Sequence, residues 1–193
     1  NALIRRDLDL LAEMARQELV LVWISVTSLK PDITARLEPR TARPALRLKT
    51  IEALSRAGVP VGVLAAPIIP GLTDEELPAI LEAAARAGAR WAGYTLLRLP
   101  GAVREIFLDA LRRHFPERYD RVVRRLEAMR GPTLNDTRAG RRLHGSGQEA
   151  DLLAQLFHLT CRRLGLNRTR PVLRTDRFRR DGAQLSLFEQ ERP

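Results

Sequence analysis

VPVGVLAAPIIPGLTDEE, residues 59–76, decides the fold, because an apolar run passes directly into a turn and then into a helix start. Seven of the eight residues 59–66 are Val, Pro, Leu or Ala, the composition of a parallel strand covered on both faces. Pro67, Pro70 and Gly71 then break the strand. Thr73, with Glu76 three residues on, has the spacing of a capping box that opens the next helix. The turn therefore belongs at the carboxyl end of a parallel strand, where open sheets and barrels place their ligands.

Outward from this stretch, the same unit repeats. Leu8, Leu10, Leu11, Met14 and Ala15 have helical spacing and lead into LVLVWISV, residues 19–26. Leu46, Leu48, Ile51, Ala53 and Leu54 mark a helix that Gly58 ends before the 59–66 strand. Leu77, Ile80, Leu81, Ala84 and Ala85 mark a third, ended by Gly88 before a strand over 91–99. Three successive helix–strand units predict a parallel sheet with helices outside, part of a barrel or of a doubly wound sheet. After Gly101 only helices are expected, over 103–115, 119–129 and 152–164, followed by a polar, arginine-rich tail.

Composition narrows the class. A chain of 193 residues with 45% hydrophobic content holds a real core, which excludes disorder throughout. Without a run of about 18 uncharged apolar residues or a signal-peptide pattern, a soluble cytoplasmic protein is expected, with no membrane partner. A single cysteine, Cys161, excludes an internal disulfide framework and a cysteine-based metal cage. Asn1 is not an initiator methionine, and helical spacing begins within a few residues, so the chain reads as a fragment.

The net charge of +10 points to nucleic acid or another polyanion. Only Lys30 and Lys49 are lysines, however, and an arginine bias of this kind also arises from G+C-rich coding. A polyanion-facing surface and a merely solvated arginine face both remain open.

Few residues have the pattern of a metal site. His114, His144 and His158 are far apart in sequence, and no two of them stand three or four residues from each other. His114 flanks a helix end, while His158 and Cys161 belong beside the apolar face of the last helix. The short GSG of Gly145–Gly147 is too little for a phosphate loop. Strand-end residues are better candidates: Ser25 and Thr27 share one face of their strand, and Glu38, Arg40, Arg43 and Arg47 follow. Each hydroxyl either serves a ligand or satisfies backbone groups, and each arginine either clamps a carboxylate or faces water.

LEPRTARPALRLKTIEALSRAGVPVGVLAAPIIPGLTDEE, residues 37–76, and YTLLRLPGAVREIF, residues 94–107, resemble the radical S-adenosylmethionine (SAM) enzymes, in the branch related to spore photoproduct lyase. The resemblance extends over residues 1–166. It implies an α/β fold, the C-terminal half of a partial (β/α)6 TIM-like barrel over 1–101, with a helical C-terminal extension over 102–166 and a basic tail over 167–193. In such enzymes a 4Fe–4S cluster reduces SAM to methionine and a deoxyadenosyl radical, which abstracts hydrogen from the substrate. The family's Gly-x-Ile-x-Gly-x-x-Glu pattern corresponds here to Pro67, Ile69, Gly71 and Asp74, so the isoleucine and second glycine match while the ends differ. By that resemblance Ile69 packs on adenine with Gly71 beside it. Ser25 contacts ribose or the methionine moiety, Arg47 the carboxylate, and backbone groups at Leu97 the adenine edge.

The family's Cys-x-x-x-Cys-x-x-Cys motif is absent from these residues, so the expected cluster ligands lie outside them and the chain alone neither holds the cluster nor makes the radical. In the tail, QLSLF resembles the pentapeptide by which bacterial repair and replication proteins bind the sliding clamp. Gln184, Leu185, Leu187 and Phe188 match its anchors. Three functions follow as expectations: half of a radical SAM enzyme acting on nucleic acid or its lesions, a non-catalytic DNA and clamp-binding module, or a metabolic barrel enzyme without iron–sulfur chemistry.

Overall fold

Three short strands run parallel in the order β1-β2-β3: β1 (Val22–Ser25), β2 (Val61–Ile68) and β3 (Trp91–Leu96). The structure, a computed structural model, describes residues 2–135, 138 and 141–176. Val22 pairs with Val61 and Gly62 with Trp91, and the β2–β3 register shifts between Ala65 and Ile68. Each strand is preceded by a helix, α1 (Leu8–Arg16), α3 (Pro44–Arg56) and α4 (Leu77–Arg86), and a short α2 (Pro31–Leu37) follows β1. Gly58 and Gly88 adopt φ of +77° and +98° where α3 and α4 end, as expected of residues that close a helix before a strand. This mixed α/β arrangement with a small parallel sheet is compatible with an arc of a partial barrel.

Alternation of side chains divides the sheet into two unlike faces. Val22, Ile24, Val26, Val61, Val63, Ala65, Ala92, Tyr94 and Leu96 build one core with α1, α3, α4 and the long α7 (Gln148–Leu164). Trp23, Ser25, Gly62, Leu64 and Gly93 take the other face, on which no core cluster forms among the described residues. Here the expectation of a strand covered on both faces is corrected. Trp23 lies across the sheet while remaining 42% exposed, and a Cβ on Gly62 would stand 2.7 Å from its ring. Gly62 is in the apolar run because the indole needs that space. The run's continuity therefore has two causes, core packing on one side and a ring rest on the other.

A second core sits at the carboxyl ends of the strands. Ile33, Ile69, Leu72, Leu97 and Leu99 meet Leu111 and Phe115 from α5 (Val103–His114) and its end, with Val122 and Leu126 from α6 (Tyr119–Arg130). Arg130, only 4% exposed, donates to the carbonyls of Leu97 at 2.6 Å and Leu96 at 2.8 Å. The ionic helix end is thereby fastened to the end of β3, and its charge is spread over backbone acceptors.

The far edge of β3 is closed by the segment after α7. Asn167, at φ +59°, accepts from Ala92 N at 2.8 Å and donates to Ala92 O at 3.0 Å, so its amide replaces a neighbouring strand. Trp91 Nε1 donates to Thr169 O at 2.7 Å. Cys161 lies buried in the helix-side core, and burial pushes its thiol up to about 11. Among the described residues no helix is long and apolar enough to cross a membrane. Gln184, Leu185, Leu187 and Phe188 lie outside the described residues.

Two outcomes follow from this packing. Asn167→Ala removes both bonds to Ala92 and should lower unfolding free energy by ~1–3 kcal/mol, read by urea denaturation; an unchanged midpoint refutes the strand-substitute role. Cys161 should resist a thiol reagent at pH 8 in the native protein and react once urea unfolds it, because the thiolate form is disfavoured by burial.

Candidate functional site

Two clefts adjoin at the carboxyl ends of the strands and share Thr27 and Glu38. One, of about 270 Å³, is apolar: Ile69, Leu97 and Pro67 from the strand exits, Ile33 and Leu37 from α2, and Phe107 among the residues from α5. Its neighbour, of about 460 Å³, is polar and is lined by Trp23, Ser25, Arg40, Thr41 and Arg47. The strand-end position was the expectation from residues 59–76, and the arrangement follows from three parallel strands releasing their chains at the same end.

Of the five candidate ligand-binding residues, four line these clefts and one does not. Ile69 and Leu97 present side chains to the apolar cleft, whereas Ser25 and Arg47 border the polar one. Gly71 lies away from both: its φ is +84°, and a Cβ there would stand 3.2 Å from Arg121 Cγ of α6. It shapes the turn and admits α6. At Leu97 the expectation concerned backbone groups, yet its N–H donates to Ile68 O at 2.9 Å and its carbonyl accepts from Arg130.

Arg47 is committed to its own loop. Its guanidinium donates to Glu38 Oε2 at 2.5 Å, Thr41 Oγ1 at 2.7 Å, Ala42 O at 2.8 Å and Ser25 O at 2.9 Å. A side chain so engaged braces the polar wall, and this changes the expected carboxylate clamp into a buttress. Arg40, exposed on the same wall, has no ion pair among the described residues. It is the better placed cation for an incoming anion.

The exit of β2 also differs from the capping box expected there. Thr73 makes no side-chain cap; its Oγ1 accepts from Ile69 N at 2.9 Å and closes the turn on itself. Glu76, 7% exposed, reaches the exit of β1 instead, accepting from Ser28 Oγ at 2.7 Å and Leu29 N at 2.8 Å. Asp74, at the altered end of the motif, accepts from Gly71 N at 2.8 Å and from Arg125 at 2.5 Å, and Arg125 also meets Glu149 of α7. Burial works to lower the Arg125 pKa, but the hydrogen bonds to Glu149 and Asp74 hold it above its ordinary value.

Sequence reasoning did not find the share of the site that comes from α5. Val103, Ile106, Phe107 and Ala110 follow i, i+3, i+4, i+7 spacing, an amphipathic signal that marks a helix face without showing what it lines. Glu76 was noticed for the wrong partner, since three-residue spacing cannot reveal a bond across 47 positions.

The chemistry of the donors separates two cofactor requirements. A nucleoside with an amino-acid arm fits the paired clefts, which give apolar wall for a base and hydroxyl, carboxylate and guanidinium groups for the remainder. An iron–sulfur cluster does not fit these residues. The chain's one cysteine packs in the helix-side core and accepts from Asn167, which is bonded to the start of β3, the opposite end of the strands from the clefts. Among the described residues no three His, Cys, Asp or Glu side chains gather as a metal site.

Comparison with known proteins places this geometry in context. Uncharacterized proteins of Mycobacterium bovis and Mycobacterium tuberculosis are 39% identical over 130 residues, 65% of this chain and 38% of each relative. An uncharacterized protein of Acidianus two-tailed virus, ORF301, is 36% identical over 70 residues, 36% of this chain and 23% of that protein. The match thus spans well under half the length of these relatives. Residues 2–84, which carry β1, β2 and the exit turn with Ile69, match the family model of the Radical SAM superfamily.

Proposed function

We propose that this chain forms the SAM-binding side of a radical SAM enzyme, in the branch related to spore photoproduct lyase. The observation that carries the proposal is the pair of adjoining clefts, apolar at Ile69 and Leu97 and polar at Ser25 and Thr27, at the strand ends of a region that matches the superfamily model. Ile69 and Leu97 would hold the adenine, and Ser25, Thr27 and Arg40 the polar arm, with Arg47 and Glu38 keeping that wall in place. SAM bound in such enzymes supplies the deoxyadenosyl group that takes hydrogen from a substrate. The residues of this chain bind and orient; they supply no cluster ligands, and the proposal assigns those ligands to sequence outside these residues.

The substrate side of the proposal rests on where the charge lies. Residues 103–176 hold sixteen arginines against nine carboxylates, whereas residues 1–102 are nearly balanced at thirteen basic against eleven acidic groups. Arg121 and Arg124 are exposed on α6, and no carboxylate pairs with either among the described residues. Such a surface favours an anionic polymer, and nucleic acid is the proposed substrate class.

Titration calorimetry of the full-length gene product with S-adenosylhomocysteine should show saturable binding, weakened about tenfold by Ile69→Ala through lost apolar contact. Reconstituted with iron and sulfide and reduced, the same product should release 5′-deoxyadenosine from SAM; failure in both measurements rejects the reading. For the substrate class, fluorescence anisotropy with DNA across a salt series should give a steep slope. Arg121→Glu combined with Arg124→Glu should reduce that slope by about two, and salt-independent binding would remove the nucleic-acid assignment.

A further inference from the structure

We infer that α5 provides a wall of the adenine cleft and that Ile106 and Phe107 set its selectivity for a flat apolar base; this rests on the SAM-binding reading above. Within the apolar cleft the strand exits supply Ile69, Leu97 and Pro67, and α5 supplies Val103, Ile106, Phe107 and Ala110. α5 begins at Val103, beyond residues 2–84 that match the superfamily model.

The wall has one fastened end and one open end. Arg36 of α2 donates to His114 O at 2.8 Å and lies over the Phe115 ring at 5.4 Å, which ties the carboxyl end of α5 to the helix that lines the cleft beside it. Leu111, with no exposure, anchors the same end in the upper core. At the other end Val103 and Ile106 remain 49% and 68% exposed while lining the cleft. Scattered exposed apolar residues need no explanation, but these two continue the lining of an apolar cleft into solvent.

The occupant is a purine base. A planar, weakly polar ring gains from apolar contact on its faces, and the polar cleft, reached through the shared Thr27 and Glu38, accepts the sugar and charged arm. A purely aliphatic ligand would leave the Ser25 and Arg40 side unused. A free anion would gain nothing from Phe107 and Ile106.

The test is titration calorimetry of the full-length gene product with S-adenosylhomocysteine, comparing the unaltered protein with Ile106→Asp, Phe107→Leu and the distant exposed control Val172→Asp. Ile106→Asp should weaken binding about tenfold and Phe107→Leu about fivefold, with Val172→Asp unchanged and all three melting like the unaltered protein. Ile106 is exposed enough that its substitution leaves the fold intact. Saturable binding by the unaltered protein, with Ile106→Asp and Phe107→Leu both within twofold of it, overturns the α5 wall and leaves the SAM-binding reading standing. Absence of binding by the unaltered protein overturns both.

Discussion

A buried carboxylate holds the two halves of the site in register. Glu76 leaves the turn after β2 and bonds the Ser28 hydroxyl and the Leu29 amide after β1, so the two strand exits cannot separate without stranding a charge in a dry position. Both clefts take Thr27 from the β1 exit; the apolar one adds Ile69 and Thr73 from the β2 exit, and the polar one Ala66 from β2 itself. Parallel strands fix only the spacing of the chains inside the sheet, about 4.8 Å; beyond the last ladder bond each exit is free to diverge. The Glu76 bonds extend the register past that point. At the rim, Lys30 and Glu75 pair at 3.2 Å, but both are half exposed and add little.

The helical extension is fastened to the same turn by charge and to the neighbouring strand by backbone acceptors. Asp74 of the β2 exit meets Arg125 of α6, which meets Glu149 of α7, so one guanidinium joins three elements. Arg130, at the end of α6, draws the carbonyls of Leu96 and Leu97 onto itself. These bonds explain why α5 stands where it can line the apolar cleft: it is held between α2, through Arg36, and α6, through the upper core. The extension and the strand ends therefore form one site, of which residues 2–84 match the superfamily model.

The order of elements, the parallel sheet and the position of the clefts were legible in the sequence because each rests on local signals. Gly58 and Gly88 closed their helices at the expected places, and the apolar runs marked the strands. The strand bounds were less legible. Residues 19–26 gave a strand of only Val22–Ser25, and β2 continued through Pro67 to Ile68, because ladder pairing with a neighbour, not hydrophobicity, decides where a strand starts and stops. Nor could sequence show that Gly62 accommodates Trp23, since the two are brought together only by the register Trp23↔Gly62.

Polar residues at strand ends were read least well, and the reason is general. The last carbonyls of a parallel strand have lost their ladder partners, so donors placed there are claimed first by the backbone. Arg47 takes Ser25 O, Arg130 takes Leu96 O and Leu97 O, and Thr73 turns to its own loop. An arginine that follows a strand is therefore ambiguous in sequence between clamp and buttress, and only its bond partners decide. By that criterion Arg47 is spent and Arg40, exposed on the same wall without an ion pair among the described residues, is free to meet a ligand. The polar cleft is thus more selective than its residue list suggests. Its most buried cation shapes the wall, and the anion-binding charge stands at the mouth, where a ligand arm can reach it while the base lies in the apolar cleft beside it.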